Sequence, residues 1–255
     1  MVEQDIEELA VMVQRARRAV VFTGAGVSTE CGIPDFRSEG GFWTRFKPIA
    51  FEEFMASEEA RLEAWRRFFV IRETLSNAQP GRPHRIVSQW VALGHVAHVI
   101  TQNIDGLDAR AGVPVERIIE IHGNGTYAKC LTCGARHEID WVKAHVESTA
   151  TPPACVSCGG IVKSATVSFG QAMPEQKMAD ARAATFNADL FLAIGSSLQV
   201  FPAAGFPVSA AHSRVPLVII NREPTGLDSL ARLVINAEAG DVLEAVMRRM
   251  QSANH

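Results

Sequence analysis

The chain lacks the features that would place it at a membrane or on nucleic acid. None of its apolar runs approaches the roughly 20 residues that a membrane-spanning helix needs. Its 25 lysines and arginines stand against 28 aspartates and glutamates, so no basic excess favours nucleic acid or an anionic surface. Residues 1–5 are acidic and lack the basic and apolar regions of a signal peptide. We therefore expect a cytoplasmic, monomeric protein with no direct contact to nucleic acid or membrane.

Internal repeats and low-complexity segments are also absent, and tyrosine is represented once, by Tyr127. The composition, 47% hydrophobic and 21% charged, is that of a globular protein. A chain of 255 residues is long enough for one large domain with a small insert.

Apolar runs and helical segments alternate along the chain. The predicted strands span 19–22, 96–101, 117–121, 189–194, 215–220 and 233–236. The predicted helices span 5–17, most of 42–92 with a break at Pro80-Gly81-Arg82-Pro83, and the chain from about 241 onward. Continuous apolar strands alternating with helices predict an α/β fold, a parallel sheet with helices on both faces. Small or polar residues follow each strand, at the end where such sheets bind ligands.

The end of the first predicted strand carries a nucleotide-binding signal. There Gly24-Ala25-Gly26 leads into a predicted helix start, where a backbone can approach a pyrophosphate and helix amides attract its charge. The dehydrogenase fingerprint also needs a third small residue, where Thr29 stands, and an acid about twenty residues on. Residues 38–41 provide no strand ending in an acid. The loop therefore predicts a nucleotide site of a different kind.

Two Cys-x-x-Cys pairs predict a metal site. Cys130 and Cys133 form the first pair, and Cys155 and Cys158 form the second. Four thiolates make a closed tetrahedral site, which is typical of structural zinc. A redox disulfide pair and an iron–sulfur cluster remain alternatives. Cys31 stands apart and is interpreted as a buried thiol.

Three residues at predicted strand ends are catalytic candidates. His122 follows the third strand, and an unperturbed pKa of about 6.5 suits a general base near neutral pH. Asn103 and Asp105 follow the second strand and add an amide and a carboxylate. Asp105 is equally suited to cap the following helix. The other seven histidines lack a strand-end context and receive no role.

Taken together, these motifs resemble the sirtuins of bacterial type, the NAD-dependent protein lysine deacylases. The matching runs are Gly24-Ala25-Gly26-Val27-Ser28, Gly32-Ile33-Pro34-Asp35-Phe36-Arg37, Thr101-Gln102-Asn103-Ile104-Asp105, His122-Gly123, the paired cysteines, Val167-Ser168-Phe169-Gly170, Gly195-Ser196-Ser197-Leu198 and Val218-Ile219-Ile220-Asn221. They appear in the family's order and extend from the first strand to the last helix.

The resemblance implies one catalytic domain over residues 1–255. Its Rossmann-like part would comprise 1–38, 94–125 and 167–255. A helical insert would occupy 39–93, and a small zinc-ribbon module would occupy 126–166.

The resemblance also implies NAD as co-substrate, one structural zinc ion and the acyl-lysine side chain of a protein as substrate. NAD would contact Gly24, Ala25, Gly26, Ser28, Asp35, Phe36, Arg37, Gln102, Asn103, Asp105, Gly195, Ser196, Ser197, Asn221, Arg222, Glu223 and Ala239. The peptide would pair, as an added strand, with Val167, Ser168, Phe169 and Gly170. His122 would be the general base, with Asn103 and Asp105 as further catalytic residues.

The activity implied is cleavage of NAD to nicotinamide with transfer of the acyl group from lysine to ADP-ribose. Two alternatives stay open. The same site could transfer ADP-ribose to protein or hydrolyse NAD without deacylation. A zinc-bearing interaction module without enzymatic activity is the other alternative, and absence of NAD binding would mark it.

The chain departs from the family's pattern at two positions. Gln171 stands where glutamate is usual, which bears on the charge preferred in the peptide. Asp108 stands where many members carry histidine, which bears on helix packing or on the nicotinamide rim. Members that remove acidic acyl groups use a Tyr-x-x-Arg pair, but the matching stretch here is Phe68-Phe69-Val70-Ile71-Arg72. An apolar pocket disfavours a buried carboxylate, so we expect acetyl or longer neutral acyl groups to be preferred over succinyl.

Overall fold

The computed structural model describes residues 3–35, 41 and 47–252. The strands in this part of the chain span Ala19–Thr23 (β1), Val96–Thr101 (β2), Ile118–Glu120 (β3), Gly123–Cys130 (β4), Arg136–Glu138 (β5), Val162–Thr166 (β6), Leu190–Ile194 (β7), Leu217–Ile220 (β8) and Leu233–Ile235 (β9). The helices span Glu3–Arg15 (α1), Phe51–Ala56 (α2), Glu58–Asn77 (α3), Arg82–Ala92 (α4), Leu107–Arg110 (α5), Ile139–Thr149 (α6), Glu175–Asn187 (α7), Gly205–His212 (α8) and Ala239–Ser252 (α9). None of these helices combines the length and apolarity needed to cross a bilayer.

Six strands form the main sheet, in the order β3-β2-β1-β7-β8-β9, and all of its pairings are parallel. The order runs outward in both directions from β1 and β7, as in dinucleotide-binding sheets, so a crevice opens between the carboxyl ends of these two strands. The predicted Rossmann-like α/β fold is therefore confirmed, and each of the six predicted apolar runs is a strand of this sheet.

Apolar cores cover both faces of the main sheet. Side chains alternate between the faces along a strand, so Val21 and Leu192 pack with α1, α4 and α9, whereas Phe22 and Phe191 pack with α7 and α8. Residues 19–23 and 190–194 are buried throughout, which explains why these strands are continuously apolar rather than alternating.

A second, smaller sheet carries the cysteine pairs. It is antiparallel, with the order β5-β4-β6. Its core contains Ile139 and Val142 of α6 and also Trp65 and Phe68 of α3. Helix α3 and the cysteine segment therefore share one apolar core.

The helix start predicted after Gly26 has a different form in the structure. Two 3-10 turns, Ala25–Val27 and Thr29–Cys31, follow β1. The amide of Gly26 donates to the carbonyl of Gly195 at 2.8 Å, and the chain leaves these turns through Gly32 in a left-handed conformation. Contact with a neighbouring strand end thus replaces the regular helical hydrogen bonds that the sequence predicted.

The loops after β1 and β7 pack backbone against backbone. A Cβ added at Gly24 would lie 2.7 Å from the carbonyl oxygen of Gly195, and one at Gly26 would lie 2.8 Å from the Cα of Gly195. Gly195 itself has a φ of 62°, and a Cβ there would lie 2.5 Å from the amide nitrogen of Val27. Only glycine fits at these three positions without moving a strand end.

We expect Gly195→Ala to lower the free energy of unfolding by about 3 kcal/mol, because it adds left-handed strain and an overlap with backbone. Urea unfolding followed by circular dichroism measures the change. Gly205→Ala is the matched control, since a Cβ there meets nothing within 4 Å, and its stability should stay equal or rise slightly. Equal unfolding midpoints for Gly195→Ala and the unmodified chain would contradict the close packing of the two loops.

Candidate active site

The carboxyl ends of all six main-sheet strands meet at one cavity of about 670 Å³. The strand ends contribute Gly24, Ala25 and Gly26 after β1, Gln102, Asn103 and Ile104 after β2, His122 after β3, Gly195, Ser196 and Ser197 after β7, Asn221, Arg222 and Glu223 after β8, and Ala237, Glu238 and Ala239 after β9. Asp35 and the segment Val167, Ser168, Phe169 and Gly170 also line it. The structure therefore brings together most of the residues that the sequence nominated.

Four nominated residues do not line this cavity or cannot be placed. Ser28 and Asp105 are buried behind its wall. Phe36 and Arg37 lie outside the described residues.

The glycine loop is fixed by its neighbours on the sheet. The amide of Gly24 donates to Ile194 at 3.1 Å, and Gln102 Nε2 donates to Ser196 Oγ at 2.8 Å and to the carbonyl of Thr23 at 3.2 Å. These bonds tie the ends of β1, β2 and β7 together. The resulting wall has no bulky side chain between Gly24 and Ser196, and a cavity of this size is typical of a cofactor site. The residues present therefore fit a dinucleotide.

Asn103 is held in one orientation by two acceptors. Its Nδ2 donates to the carbonyl of Gly24 at 3.0 Å and to Ser28 Oγ at 3.3 Å. Because both amide hydrogens are used within the protein, its Oδ1 is the atom left to accept from a ligand in the cavity.

Ser28 links Asn103 to Asp105 through hydrogen bonds. Ser28 Oγ donates to Asp105 Oδ2 at 2.8 Å, and the other oxygen of Asp105 accepts from the amide of Leu107 at 2.9 Å. Asp105 therefore caps the start of α5, which was one of the two roles expected for it. It supports Asn103 through Ser28 rather than facing the cavity.

His84 completes the buried network and is a functional candidate that sequence reasoning missed. The amide of Gly81 donates to Nδ1 of His84 at 3.3 Å, so Nε2 carries the proton of the neutral ring and lies 3.4 Å from Ser28 Oγ. Burial lowers the pKa of His84, which favours this neutral form. A proline at the preceding position marks a helix start, but nothing local in the sequence indicates the contact with Ser28.

His122 is placed for proton transfer. Its Nδ1 lies 3.1 Å from the carbonyl oxygen of Gln102, which can only accept, so Nδ1 donates and Nε2 of the neutral ring is unprotonated. Burial lowers the pKa of His122, an effect that the hydrogen bond to Gln102 opposes. The neutral, base-competent ring is therefore the dominant form at pH 7.

Asp108 is buried beneath the end of β2 and does not line the cavity. Burial, together with the negative charge of Asp105, raises the pKa of Asp108 to about 7. Of the two effects expected for this departure, the structure places Asp108 in helix packing rather than at the cavity rim.

The segment after β6 is tethered from three sides. The amide of Val167 donates to the carbonyl of His122 at 2.8 Å, and the carbonyl of Phe169 accepts from the amide of Phe51 at 2.8 Å. The amide of Ser168 donates to Gln171 Oε1 at 3.1 Å, and the amide of Gln171 donates back to Ser168 at 3.0 Å. The segment is thus a preformed edge connected to both β3 and α2.

The rest of the cavity wall carries no NAD or catalytic role from the sequence, although Phe68, Ile71 and Gln171 were singled out there for substrate preference. It comprises Thr29, Pro48, Ile49, Phe68, Ile71, Thr166, Gln171, Met173, Gln199, Val200, Phe201 and Pro202. These residues come from segments distant in the chain, and most carry neither charge nor a metal-binding group that could have singled them out.

The four paired cysteines converge on one point outside the cavity. Cys130 and Cys158 have their sulfurs 3.6 Å apart, Cys133 and Cys155 have theirs 3.7 Å apart, and all four lie within 4.8 Å of one another. A tetrahedral zinc ion with Zn–S bonds of about 2.3 Å requires sulfurs about 3.8 Å apart. The cluster fits one zinc ion and favours a metal over a pair of disulfides.

His137 touches this cluster and was not nominated either. Its Nε2 lies 3.3 Å from the sulfur of Cys155, and its ring stacks on Trp141 at 4.9 Å. Cys31, by contrast, lies apart from the cluster and is only half-buried, and burial raises the pKa of its thiol.

Comparison with known proteins agrees with this geometry. Residues 24–202 match the family model described as the Sir2 family. The NAD-dependent protein deacetylase 1 of Bradyrhizobium diazoefficiens is 52% identical over 238 residues, which cover 93% of each chain. The NAD-dependent protein deacetylase of Rhodopseudomonas palustris is 50% identical, with 93% of this chain and 94% of its own covered.

Solved structures give the same result. A structure concerned with the mechanism and regulation of Sir2 enzymes is 32% identical, with a TM-score of 0.83 and coverage of 99% of this chain and 100% of its own. A Sir2 complex with a p53 peptide and NAD+ is 31% identical, with a TM-score of 0.83 and 98% of both chains covered. The chain belongs to the Sir2 family.

Proposed function

We propose that this chain is an NAD-dependent protein lysine deacylase, acting chiefly as a deacetylase. The observation that carries the proposal is the placement of His122, a neutral base, in the same cavity as the glycine loop and the segment 167–170. Relatives named as NAD-dependent protein deacetylases, and a Sir2 structure with peptide and NAD+, support the choice of substrate and cofactor.

The residues at different strand ends would hold different parts of NAD. Gly24, Ala25, Gly26, Ser196 and Ser197 would hold the pyrophosphate, because small side chains there let the backbone approach it. Asn221, Arg222, Glu223 and Ala239 would hold the adenosine half. Asp35, Phe36, Arg37, Gln102 and Asn103 would surround the nicotinamide ribose, supported from behind by Ser28 and Asp105. When bound, NAD supplies an activated ribose that releases nicotinamide and receives the acyl group.

The residues of the chain then have distinct tasks. Nε2 of His122 accepts a proton from a ribose hydroxyl, while its Nδ1–H stays on the carbonyl of Gln102. Asn103 presents Oδ1 as a fixed acceptor, because Gly24 and Ser28 hold its amide group. These tasks need fixed geometry, which the sheet supplies.

The segment 167–170 would receive the peptide as an added strand. The amide of Val167 and the carbonyl of Phe169 already bond within the protein. Pairing with the peptide would therefore use the carbonyl of Val167 and the backbone of Gly170.

The acyl group would enter between two residues of α3. Phe68 and Ile71 are three apart, share a helix face, and both line the cavity, whereas Arg72 does not. An apolar wall there accepts acetyl and longer neutral chains and leaves a carboxylate without a partner.

ADP-ribosyl transfer or NAD hydrolysis without deacylation is less favoured, because neither reaction makes use of the apolar wall at Phe68 and Ile71. An interaction module is less favoured still, since six strand ends converge on one cavity. We further propose that the protein is cytoplasmic and monomeric, binds no nucleic acid, and has its large part, helical insert and zinc module divided as the sequence predicts.

His122→Ala should lower kcat/KM for an acetyl-lysine peptide by about 10³-fold, because the general base is lost. The Kd for NAD should change by less than about threefold, because the glycine loop is unchanged. Because the lowered pKa extends the neutral form of His122 to lower pH, the acid limb of kcat/KM should have its midpoint below about pH 6.5. Peptide mass spectrometry measures kcat/KM at each pH, and calorimetry measures NAD binding. His212→Ala, at an exposed site, is the control. Deacetylation by His122→Ala at the unmodified rate would remove His122 from this role.

Acetyl and butyryl peptides should react about 100-fold faster than the succinyl peptide, because the wall at Phe68 and Ile71 offers no partner to a carboxylate. The double variant F68Y/I71R should raise the succinyl-to-acetyl ratio of kcat/KM. Val70→Arg adds the same charge at an exposed position of α3 outside the cavity, so it should leave the ratio unchanged. Faster turnover of succinyl than of acetyl by the unmodified chain would contradict the proposed pocket.

The purified protein should contain one zinc ion per chain by elemental analysis. Cys155→Ser should lose the metal and melt at a lower temperature, because the small sheet shares its core with the cysteines. Cys31→Ser should keep both the metal and the melting temperature, since Cys31 lies outside the cluster. Iron with acid-labile sulfide, or no metal with full stability, would contradict a structural zinc.

A further inference from the structure

The cavity has a charged half and an uncharged half, and His122 lies where they meet, because its carbonyl accepts from the amide of Val167. The titratable side chains of the cavity are Asp35 and His122 together with Arg222, Glu223 and Glu238 after β8 and β9. Among the described residues, the walls formed by 48–49, 166–171 and 199–202 contain no acid and no base. The uncharged half includes the segment 167–170, where the substrate peptide is proposed to pair.

Exposed aromatic side chains are concentrated at this uncharged half. Phe201 is 69% exposed and Phe169 is 49% exposed, and both line the cavity. Phe186, the third exposed phenylalanine among the described residues, lies on α7 away from it. A large apolar side chain that is mostly exposed beside a cavity, as Phe201 is, marks a surface that an apolar group covers.

Gln171 keeps this wall neutral. Its side-chain carbonyl accepts from the backbone amide of Ser168, and the backbone amide of Gln171 donates to the carbonyl of Ser168. The amide side chain therefore closes the turn that carries Phe169 without adding a charge. None of the cavity-lining residues in these described walls offers an ion partner to a charged peptide residue, and the nearby amine of Lys163 is buried and donates to the carbonyl of Thr166 at 2.6 Å.

We propose that this enzyme selects acyl-lysines that lie in an apolar, uncharged sequence context, with the neighbouring side chains seated against Phe201 and Phe169. This inference rests on the proposed deacylase function. A charged neighbour would be desolvated against a neutral wall with nothing to offset the loss, whereas an apolar neighbour gains by leaving water. Since no ion pair forms, the preference is insensitive to salt.

Acetyl-lysine peptides that differ only in the two residues flanking the lysine test this preference. Flanks of leucine, lysine and glutamate should give a kcat/KM for the leucine peptide about tenfold above both others, which should agree within about threefold. Raising NaCl from about 50 to 300 mM should change each value by less than about twofold. A tenfold advantage of the lysine or glutamate peptide, or a strong salt dependence, would overturn the inference.

Two variants assign the preference to the wall. Phe201→Ala should reduce the advantage of the leucine peptide about fivefold, mainly through KM, because the seat for the flanking residue is lost. Phe186→Ala removes another exposed ring, outside the cavity, and should leave the kcat/KM ranking of the three peptides unchanged. Gln171→Glu should favour the lysine peptide over the glutamate peptide and make the ratio salt-dependent. An unchanged ranking in both Phe201→Ala and Gln171→Glu would refute the assignment.

Binding without turnover separates this inference from the function on which it rests. Fluorescein-labelled versions of the three peptides are titrated in the absence of NAD and followed by anisotropy. Tighter binding of the leucine peptide in this titration, with no deacetylation once NAD is added in a parallel reaction, would support the selective wall and reject the deacylase function. Equal binding of all three would reject the selective wall whether or not the peptides react.

Discussion

The contact between the loops after β1 and β7 is the constraint on which the site depends. The amide of Gly26 donates to the carbonyl of Gly195, and no side chain fits between the two loops. That contact sets where the carbonyl of Gly24 lies, and Asn103 is oriented by this carbonyl. Gln102, fixed on Ser196, in turn holds His122 through its own carbonyl. A backbone contact at the switch point of the sheet therefore positions both polar side chains that we propose for the reaction.

The electrostatics of the site follow from what lies behind this wall. Asp105 has both oxygens occupied as acceptors, by Ser28 and by the amide of Leu107. Asp108 is buried nearby, and two buried carboxylates in each other's field do not both ionise easily. The raised pKa of Asp108, about 7, lets this residue carry the proton, so the support of Asn103 through Ser28 is retained. The acid at this position, where many family members carry histidine, is thus accommodated as a partly protonated core residue.

The sequence predicted the parts of the site that depend on the sheet. Fully buried parallel strands must be continuously apolar, so their ends, and with them Gly24, Asn103, His122 and Gly195, could be located. The 3-10 turns after Gly26 could not, because they depend on a hydrogen bond to a residue far along the chain. For the same reason, the roles of His84, His137 and the wall at 199–202 could not be predicted from the sequence. Each takes its role from a tertiary contact, and no local period or charge pattern encodes that contact.

The cysteine cluster lies outside the cavity, yet it is connected to the chemistry through the apolar core. Phe68 packs in the same core as Cys130 and Cys155, and it also lines the cavity where the acyl group is proposed to enter. Helix α2 is joined to the segment 167–170 by the hydrogen bond from the amide of Phe51 to the carbonyl of Phe169. A metal that fixes four thiolates therefore also fixes the core behind the acyl wall. This gives a closed, non-catalytic zinc site a physical reason to influence which acyl groups react.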